Sequence, residues 1–229
     1  MTTLYTAVGR FERRSDCSGN RHPAVIVSGK EHIVGIHEML LWTCLCWRFL
    51  EFPGLASLYE QKSREAGIRP ETEPKRILDR LLRSGIAASG AGDTGGDALH
   101  DLLSDLYVVP AVGKPIAKIA AFLSLTLFDG VAFRKASRIF HHERLSGNEK
   151  QILSLAKQTR LSTSEIIKCV EAGICDVSTD EKVLDALYCD GMTTSDNIGC
   201  YARLLKTWSS ALSAVANLYL KQIILLERV

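Results

Sequence analysis

The chain has 229 residues, a formal net charge of +2 and 46% hydrophobic residues. That length supports one domain of ordinary size or two small ones, and the internal pattern favours two. The near-balanced charge excludes a uniformly basic nucleic-acid coat. No apolar run reaches the ~18 residues of a membrane span and no basic-then-apolar leader opens the chain, so the sequence reads as cytoplasmic.

Residues 1–29 hold two short strand-like runs, Leu4 to Phe11 and Pro23 to Val27. Between them lies a polar stretch with Arg13, Arg14 and Arg21, and the whole predicts an N-terminal arm or β-hairpin. From Glu31 the period changes. Ile33, Ile36, Leu40, Leu41, Cys44, Leu45 and Trp47 trace a broad apolar stripe, which predicts a largely buried helix. His37 sits near that stripe beside Glu38 and reads as a satisfied core or boundary histidine. Pro53 then opens a second helix with Leu55, Leu58 and Tyr59 inward, and Ala66-Gly67 closes it.

After a short connection, Ile68 to Thr72, comes the segment around which the rest is arranged, Glu73 to Gly85. Ile77, Leu78, Leu81 and Leu82 share one helical face, while Arg76, Arg80 and Arg83 line another. Pro74 suits a first helical turn, Gly85 suits the left-handed residue that ends a helix, and Thr72 is the expected N-cap. One face packs and the other is free to bind. Thr72, Lys75, Arg76, Arg80 and Arg83 are the expected DNA contacts.

The order of helix, turn, bounded helix, strand and glycine-rich turn over residues 31–109 resembles a bacterial winged helix-turn-helix transcription regulator. The run Leu78, Leu81, Leu82, Gly85, Ile86 resembles the end of its recognition helix and its first wing strand. The resemblance implies that the first helix of the pair braces the second against a major groove. The wing departs from the family: Asp93, Asp97, Asp101 and Asp105 fall between Gly85 and Val109, with no Lys or Arg, and would repel phosphate.

Gly90-Ala-Gly92-Asp-Thr-Gly95 also matches the dinucleotide fingerprint G-x-G-x-x-G. Its preceding strand is short and weakly apolar, and no acidic residue follows about 20 positions on to hold a ribose, so a plain glycine turn is the preferred reading. Beyond Pro110 a linker leads from an acidic to a basic segment, with helices expected over 116–127 and 131–142. Ser146 to Glu149 is a capping box that opens a helix, Ser162-Thr-Ser-Glu165 heads a second, and Thr179 or Asp180 heads a third; together they look like a second helix-turn-helix. That third helix carries Asp180, Glu181, Asp185 and Asp190 against Lys182 alone, which suits a structural role better than a DNA groove.

A long amphipathic helix is expected from Ile198 to Glu227. Tyr201, Leu205, Trp208, Leu212, Val215, Tyr219, Gln222 and Leu226 step by fours and threes along it, the spacing of a coiled-coil-like dimer seam, with Leu205, Trp208, Leu212, Val215, Tyr219 and Leu226 as its dimerisation residues. The seven cysteines, mostly in apolar helical patterns such as Cys44 and Cys46, read as reduced thiols. His141-His142-Glu143 with Cys169, Cys175, Cys189 and Cys200 fits no compact zinc spacing, so no metal and no cofactor is expected.

The expected fold is mainly α with a small β wing: an arm at 1–29, a winged helix-turn-helix at 30–110, connecting helices at 111–143, and a helical domain at 144–229. The expected function is transcription control by operator occupancy without catalysis, with double-stranded DNA and a second copy of the chain as partners. Two alternatives stand beside it: a winged-helix protein-interaction adaptor, and a nucleotide-dependent enzyme using the Gly90–Gly95 loop.

Overall fold

The computed structural model describes residues 1–15, 21–69, 72–111 and 145–228. They fall into two units: an N-terminal one built on Tyr5–Ala88, and a C-terminal one built on Met1–Leu4, Ser89–Pro110 and Leu145 onward. The architecture is mixed α and β, with three small sheets among the described residues. The helices expected over 116–127 and 131–142, and with them His141, His142 and Glu143, lie outside those residues.

β1 (Thr2–Ala7), which the division into units splits after Leu4, and β2 (Arg10–Ser15), β3 (Arg21–Val27) and β4 (Lys30–Ile33) of the N-terminal unit precede the first helix. The single run expected from Leu4 to Phe11 is two strands, because Gly9 turns the chain at φ +88. β2, β3 and β4 form an antiparallel meander in which Phe11 faces Val25 and Val25 faces His32. So the N-terminal stretch is a three-stranded sheet plus a separate strand. A simple arm or hairpin would have left Ala24, Val25 and Ile26 in water, whereas all three are buried.

Helix α1 (Ile36–Leu45) starts later than the apolar stripe suggested. Ile33 belongs to β4 and is 69% exposed, and Trp47 follows the helix at φ +53. α2 (Phe52–Glu65) carries its proline in the first turn, and α3 (Pro74–Arg83) does the same. The N-cap of α3 is Glu73, one residue after the expected Thr72, and no side chain caps it. The three helices pack on one another through Leu40, Leu41, Trp42, Leu45, Leu55, Tyr59, Ile77, Leu78 and Leu81, all essentially without exposure. Between α1 and α2, Leu50 exchanges both backbone hydrogen bonds with Tyr5, at 2.9 and 3.1 Å, and so acts as a one-residue strand.

β5 (Ala87–Gly92) leaves α3 and pairs with β1. Val8 N–H donates to the Ile86 carbonyl at 2.9 Å, and the two strands leave that point in opposite chain directions, so they are antiparallel. The expected wing is not formed. β5 does not return as a hairpin: α4 (Gly95–Leu103) follows it, and β6 (Tyr107–Pro110) joins another sheet, between β7 (Leu161–Ser162) and β8 (Ile224–Glu227). The acidic stretch read as a wing is largely the helix α4, with Thr94 and Asp97 in a capping box.

The C-terminal unit continues with α5 (Gly147–Gln158), α6 (Thr163–Glu171), α7 (Asp180–Tyr188), α8 (Ile198–Arg203) and α9 (Trp208–Leu220). The caps expected at Ser146, Ser162 and Thr179 are all made. The continuous helix expected from Ile198 to Glu227 is instead two helices and a strand. Thr207, by its N–H and its hydroxyl, donates to Glu171 Oε2 at 2.8 and 2.7 Å and holds the break before α9. Gln222 at φ +62 ends α9, after which Ile224 to Glu227 pair with β6. A leucine-rich run satisfies helical and strand periods alike, so its spacing did not decide between them.

The two units repeat one plan. Each sheet has the short strand between its first two helices at one side, the strand that enters the unit in the middle, and the strand that leaves it at the other side: Leu50, β1, β5 and then β7, β6, β8. The sequences match without a gap from Lys62 to Ile86 and from Lys168 to Met192. Glu65-Ala-Gly-Ile68 corresponds to Glu171-Ala-Gly-Ile174, Leu78-Asp79 to Leu184-Asp185, Leu81 to Leu187, and Gly85 to Gly191. The backbone agrees. Gly67 and Gly173 have φ +65 and +67, and Ile68 and Ile174 each close the preceding helix by donating five residues back, at 2.9 Å to Ser63 and to Cys169. By this match α7 stands where α3 stands.

Candidate nucleic-acid interface

The face of α3 opposite its buried leucines presents the expected cations. Arg76, Arg80 and Arg83 are exposed, and Ile77, Leu78 and Leu81 are buried behind them. This division follows from residue type. Steps of three and four hold arginines on one side, and the same steps hold branched apolar residues on the other.

The cations are not equivalent. Lys75 lies 3.2 Å from Asp79 Oδ1, with its ammonium over the rings of Phe52 and Tyr5 at 5.6 and 5.9 Å. It is thus drawn to the aromatic side of the helix. Arg80 pairs loosely with Glu38 at 3.6 Å. Arg83 Nε donates to the Asp79 carbonyl at 3.1 Å, which orders the stem and leaves most guanidinium donors outward. Thr72 is half-buried in a cleft of about 630 Å³ with Tyr59, Ser63, Arg64, Glu73 and Pro74, to one side of the arginine row. The arrangement can bind phosphate and the acceptor edges of bases.

His37 is satisfied as expected, its Nδ1 and the Tyr59 hydroxyl lying 2.9 Å apart. Cys44, Cys46 and Cys169 are buried, and burial pushes the Cys44 and Cys169 thiols up to about 12. Among the described residues no group of His, Cys, Asp and Glu is placed to hold a metal ion.

The glycine loop has a packing explanation. A Cβ on Gly90 would press into the backbone of Leu102 and come 2.5 Å from the Ala98 carbonyl; on Gly92 it would lie 2.5 Å from Ala98 N. β5 lies directly on α4, and only glycine allows it. The N-terminus of α4, where a pyrophosphate would sit, already holds the Asp97 carboxylate, bound to Thr94 and paired with Arg203. A cleft of about 560 Å³ beside it is lined by Asp93, Asp97, Asp101, Asp105 and Asp196. That lining is hostile to an anion. His100 also lines it, its Nε2 buried without a hydrogen-bond partner among the described residues, and burial first and then Arg203 lower its pKa. Sequence reasoning missed this cleft, because Asp196 and Arg203 reach it from a distant part of the chain.

The residues expected to form a dimer seam are dispersed. Leu212, Val215 and Tyr219 are buried in the C-terminal unit, where α9 packs on α5 and α6; Leu226 is buried on β8; Leu205 lies in the break before α9 and Trp208 at the first position of that helix. They do not share one helix.

No family model, no curated protein and no solved structure matches this chain.

Proposed function

We propose that the N-terminal unit is a DNA-binding helix-turn-helix, related in plan to the winged helix, which acts in transcription control by occupying its site and performs no catalysis. α2 serves as the bracing helix and α3 as the reading helix, with Arg76 and Arg80 toward bases or phosphates and Arg83 toward backbone phosphate. The observation that carries the reading is the division of α3 between three exposed arginines and the buried side chains of Ile77, Leu78 and Leu81. No wing contributes, so affinity rests on α3 and on basic residues near it, such as Arg69, which is exposed.

The test is titration of a labelled random-sequence duplex at two salt concentrations. Binding with a Kd of about 10⁻⁴–10⁻⁶ M that weakens steeply with salt is the expected result. An absence of binding at ~50 mM salt, where phosphate contacts are strongest, overturns the proposal.

A further inference from the structure

The repeat places α7 where α3 stands, yet the two helices are opposite in charge. Lys75 corresponds to Glu181, Arg80 to Ala186 and Arg83 to Cys189, while Asp79 is kept as Asp185. Among the described residues Asp180 and Glu181 have no ion-pair partner, and both are exposed. They stand four and three residues before Leu184, which makes them its neighbours on the helix surface.

Leu184 is itself out of place for a repeat of this plan. Its counterpart Leu78 is 0% exposed, whereas Leu184 is 56% exposed; Ile86 is 1% exposed and its counterpart Met192 is 75% exposed. Leu187 is the buried side chain of α7, and polar contacts add to it: Lys168 donates to Leu187 O, to Asp190 Oδ2 and to Thr193 Oγ1, and the Tyr188 hydroxyl donates to Glu165 Oε1 at 2.8 Å. The helix therefore shows water an apolar anchor edged by carboxylates.

We propose that this face docks the α3 helix of a second copy of the chain. α3 offers the complement. Arg76 has no partner among the described residues and Arg80 is 63% exposed at its side chain, and Leu82 is half-exposed on the same helix. Carboxylates at positions 180, 181 and 185 meet guanidiniums at 76, 80 and 83, and Leu184 packs beside Leu82. The contact joins two different surfaces, so it closes into a reciprocal dimer or a ring where its rotation allows and extends into open chains where it does not. It also competes with DNA for α3. The inference uses the same arginine face as the proposed DNA-binding reading but a different ligand, so the two can fail separately.

The experiment is sedimentation equilibrium of the full chain between about 5 and 200 µM, in low and high salt, with charge-reversed variants. The unaltered chain is expected to exceed its 25.2 kDa monomer mass as concentration rises, and to return to it in ~0.5 M salt. Reversal of α7 (Asp180→Lys, Glu181→Lys, Asp185→Lys) or of α3 (Arg76→Glu, Arg80→Glu, Arg83→Glu) should each weaken association at least about tenfold, and a mixture of the two variants should restore it. Should lysines at the start of α7 unfold it, the neutral set Asp180→Asn, Glu181→Gln, Asp185→Asn replaces them, and Leu184→Gln tests the anchor. Duplex DNA should dissolve the assembly, and the α7 variant should still bind DNA. A monomer at every concentration in low salt overturns the proposal, as does association that survives either reversal or a mixture that stays monomeric. A chain that associates in this pattern yet ignores DNA would sink the DNA-binding reading and leave this one standing.

Discussion

The indole N–H of Trp42 donates to the carbonyl of Ile86 at 3.0 Å and lies 3.3 Å from the carbonyl of Val8. One buried donor thus ties α1 to the residue at which α3 passes into β5, and to the strand that pairs there. Because Val8 N–H also donates to Ile86, the indole closes a three-way junction behind the arginine helix. Trp42→Phe removes the donor and part of the ring volume, and is expected to destabilise the chain by ~2–4 kcal/mol. Urea unfolding followed by circular dichroism measures this. An unchanged midpoint would show that the junction does not depend on the indole.

The arginines should differ in their effect on DNA binding. Among the described residues Arg76 has no ion-pair partner, whereas Arg80 must leave Glu38 before it reaches a phosphate. Arg76→Ala is expected to cost about 1–3 kcal/mol of binding and Arg80→Ala less, at equal folding. Glu38→Gln keeps an oxygen to accept from Gly35 N–H, now made at 2.9 Å, and removes the competing charge. It should tighten binding severalfold at low salt and have no effect at high salt. Fluorescence anisotropy on the same duplex separates the three variants.

The pH response of the C-terminal unit is set by carboxylates held below their ordinary range. Hydrogen bonds from Lys168 and then from Thr193 lower Asp190. Burial raises Glu149, but the hydrogen bond from Lys221 and that from Ser146 N–H outweigh it, so the net shift is downward. A folded value below the unfolded one means that the carboxylate binds its proton more tightly in the unfolded chain. Its stabilising contribution is complete above the ordinary carboxylate range, near pH 4, and disappears as pH falls through the lowered folded values. Urea midpoints should therefore be level from about pH 6 to 7 and fall below pH 4. Lys168→Met should lower the neutral-pH midpoint and flatten the part of the acid slope that belongs to Asp190. An acid slope unaltered by Lys168→Met would remove Asp190 from this account.

Thiol reactivity gives a map of burial that does not depend on any function. Cys44 and Cys169, with thiols near 12, hold a thiolate fraction at pH 8 about a thousandfold below that of an ordinary cysteine, and both are also closed to reagent. Cys175, Cys189 and Cys200 are exposed. The Asp185 hydrogen bond raises the Cys189 thiol, so Cys189 should react more slowly than Cys175. Timed alkylation with peptide mapping reads each rate. Early labelling of Cys44 or Cys169 in the folded chain would contradict their burial.

What the sequence made legible follows from which signals are local. α3 was read correctly because its proline, its leucine spacing and Gly85 lie within a dozen residues. The capping boxes at Ser146 and Ser162 were equally local. Strand pairing is not local. Nothing near Ala87 announces that its partner is the N-terminal strand, and a strand after a reading helix invites the nearer wing partner. The C-terminal run failed for a related reason, since Ile224 to Glu227 is a strand only because β6 lies beside it. The repeat was half visible, as three short helices in a familiar order. The identical Glu-Ala-Gly-Ile corners at Glu65 and Glu171 were in plain sight, and they gained meaning once both glycines proved to be left-handed.

The glycine loop offers a test in which packing and ligand binding predict different residues to be sensitive. If Gly90, Gly92 and Gly95 served a pyrophosphate, substitution at any of them would impair binding and leave folding largely intact. In this structure Gly90 and Gly92 lie against the backbone of α4, whereas a Cβ on Gly95 meets nothing within 4 Å. Gly90→Ala is therefore expected to destabilise the chain by about 3 kcal/mol or to prevent folding, since backbone cannot yield as a flexible side chain does. Gly92→Ala, pressed against Asp97 and Ala98, should follow it more mildly. Gly95→Ala stands at the first position of α4, and there alanine should be neutral or stabilising by up to ~1 kcal/mol. Thermal unfolding of the three variants, with and without a millimolar dinucleotide, is the measurement. Destabilisation ranked Gly90, Gly92, Gly95 with no response to the dinucleotide is the expected outcome. A folded Gly90→Ala chain, or a dinucleotide that raises Tm in the unaltered chain and not in Gly95→Ala, would return the loop to a binding role.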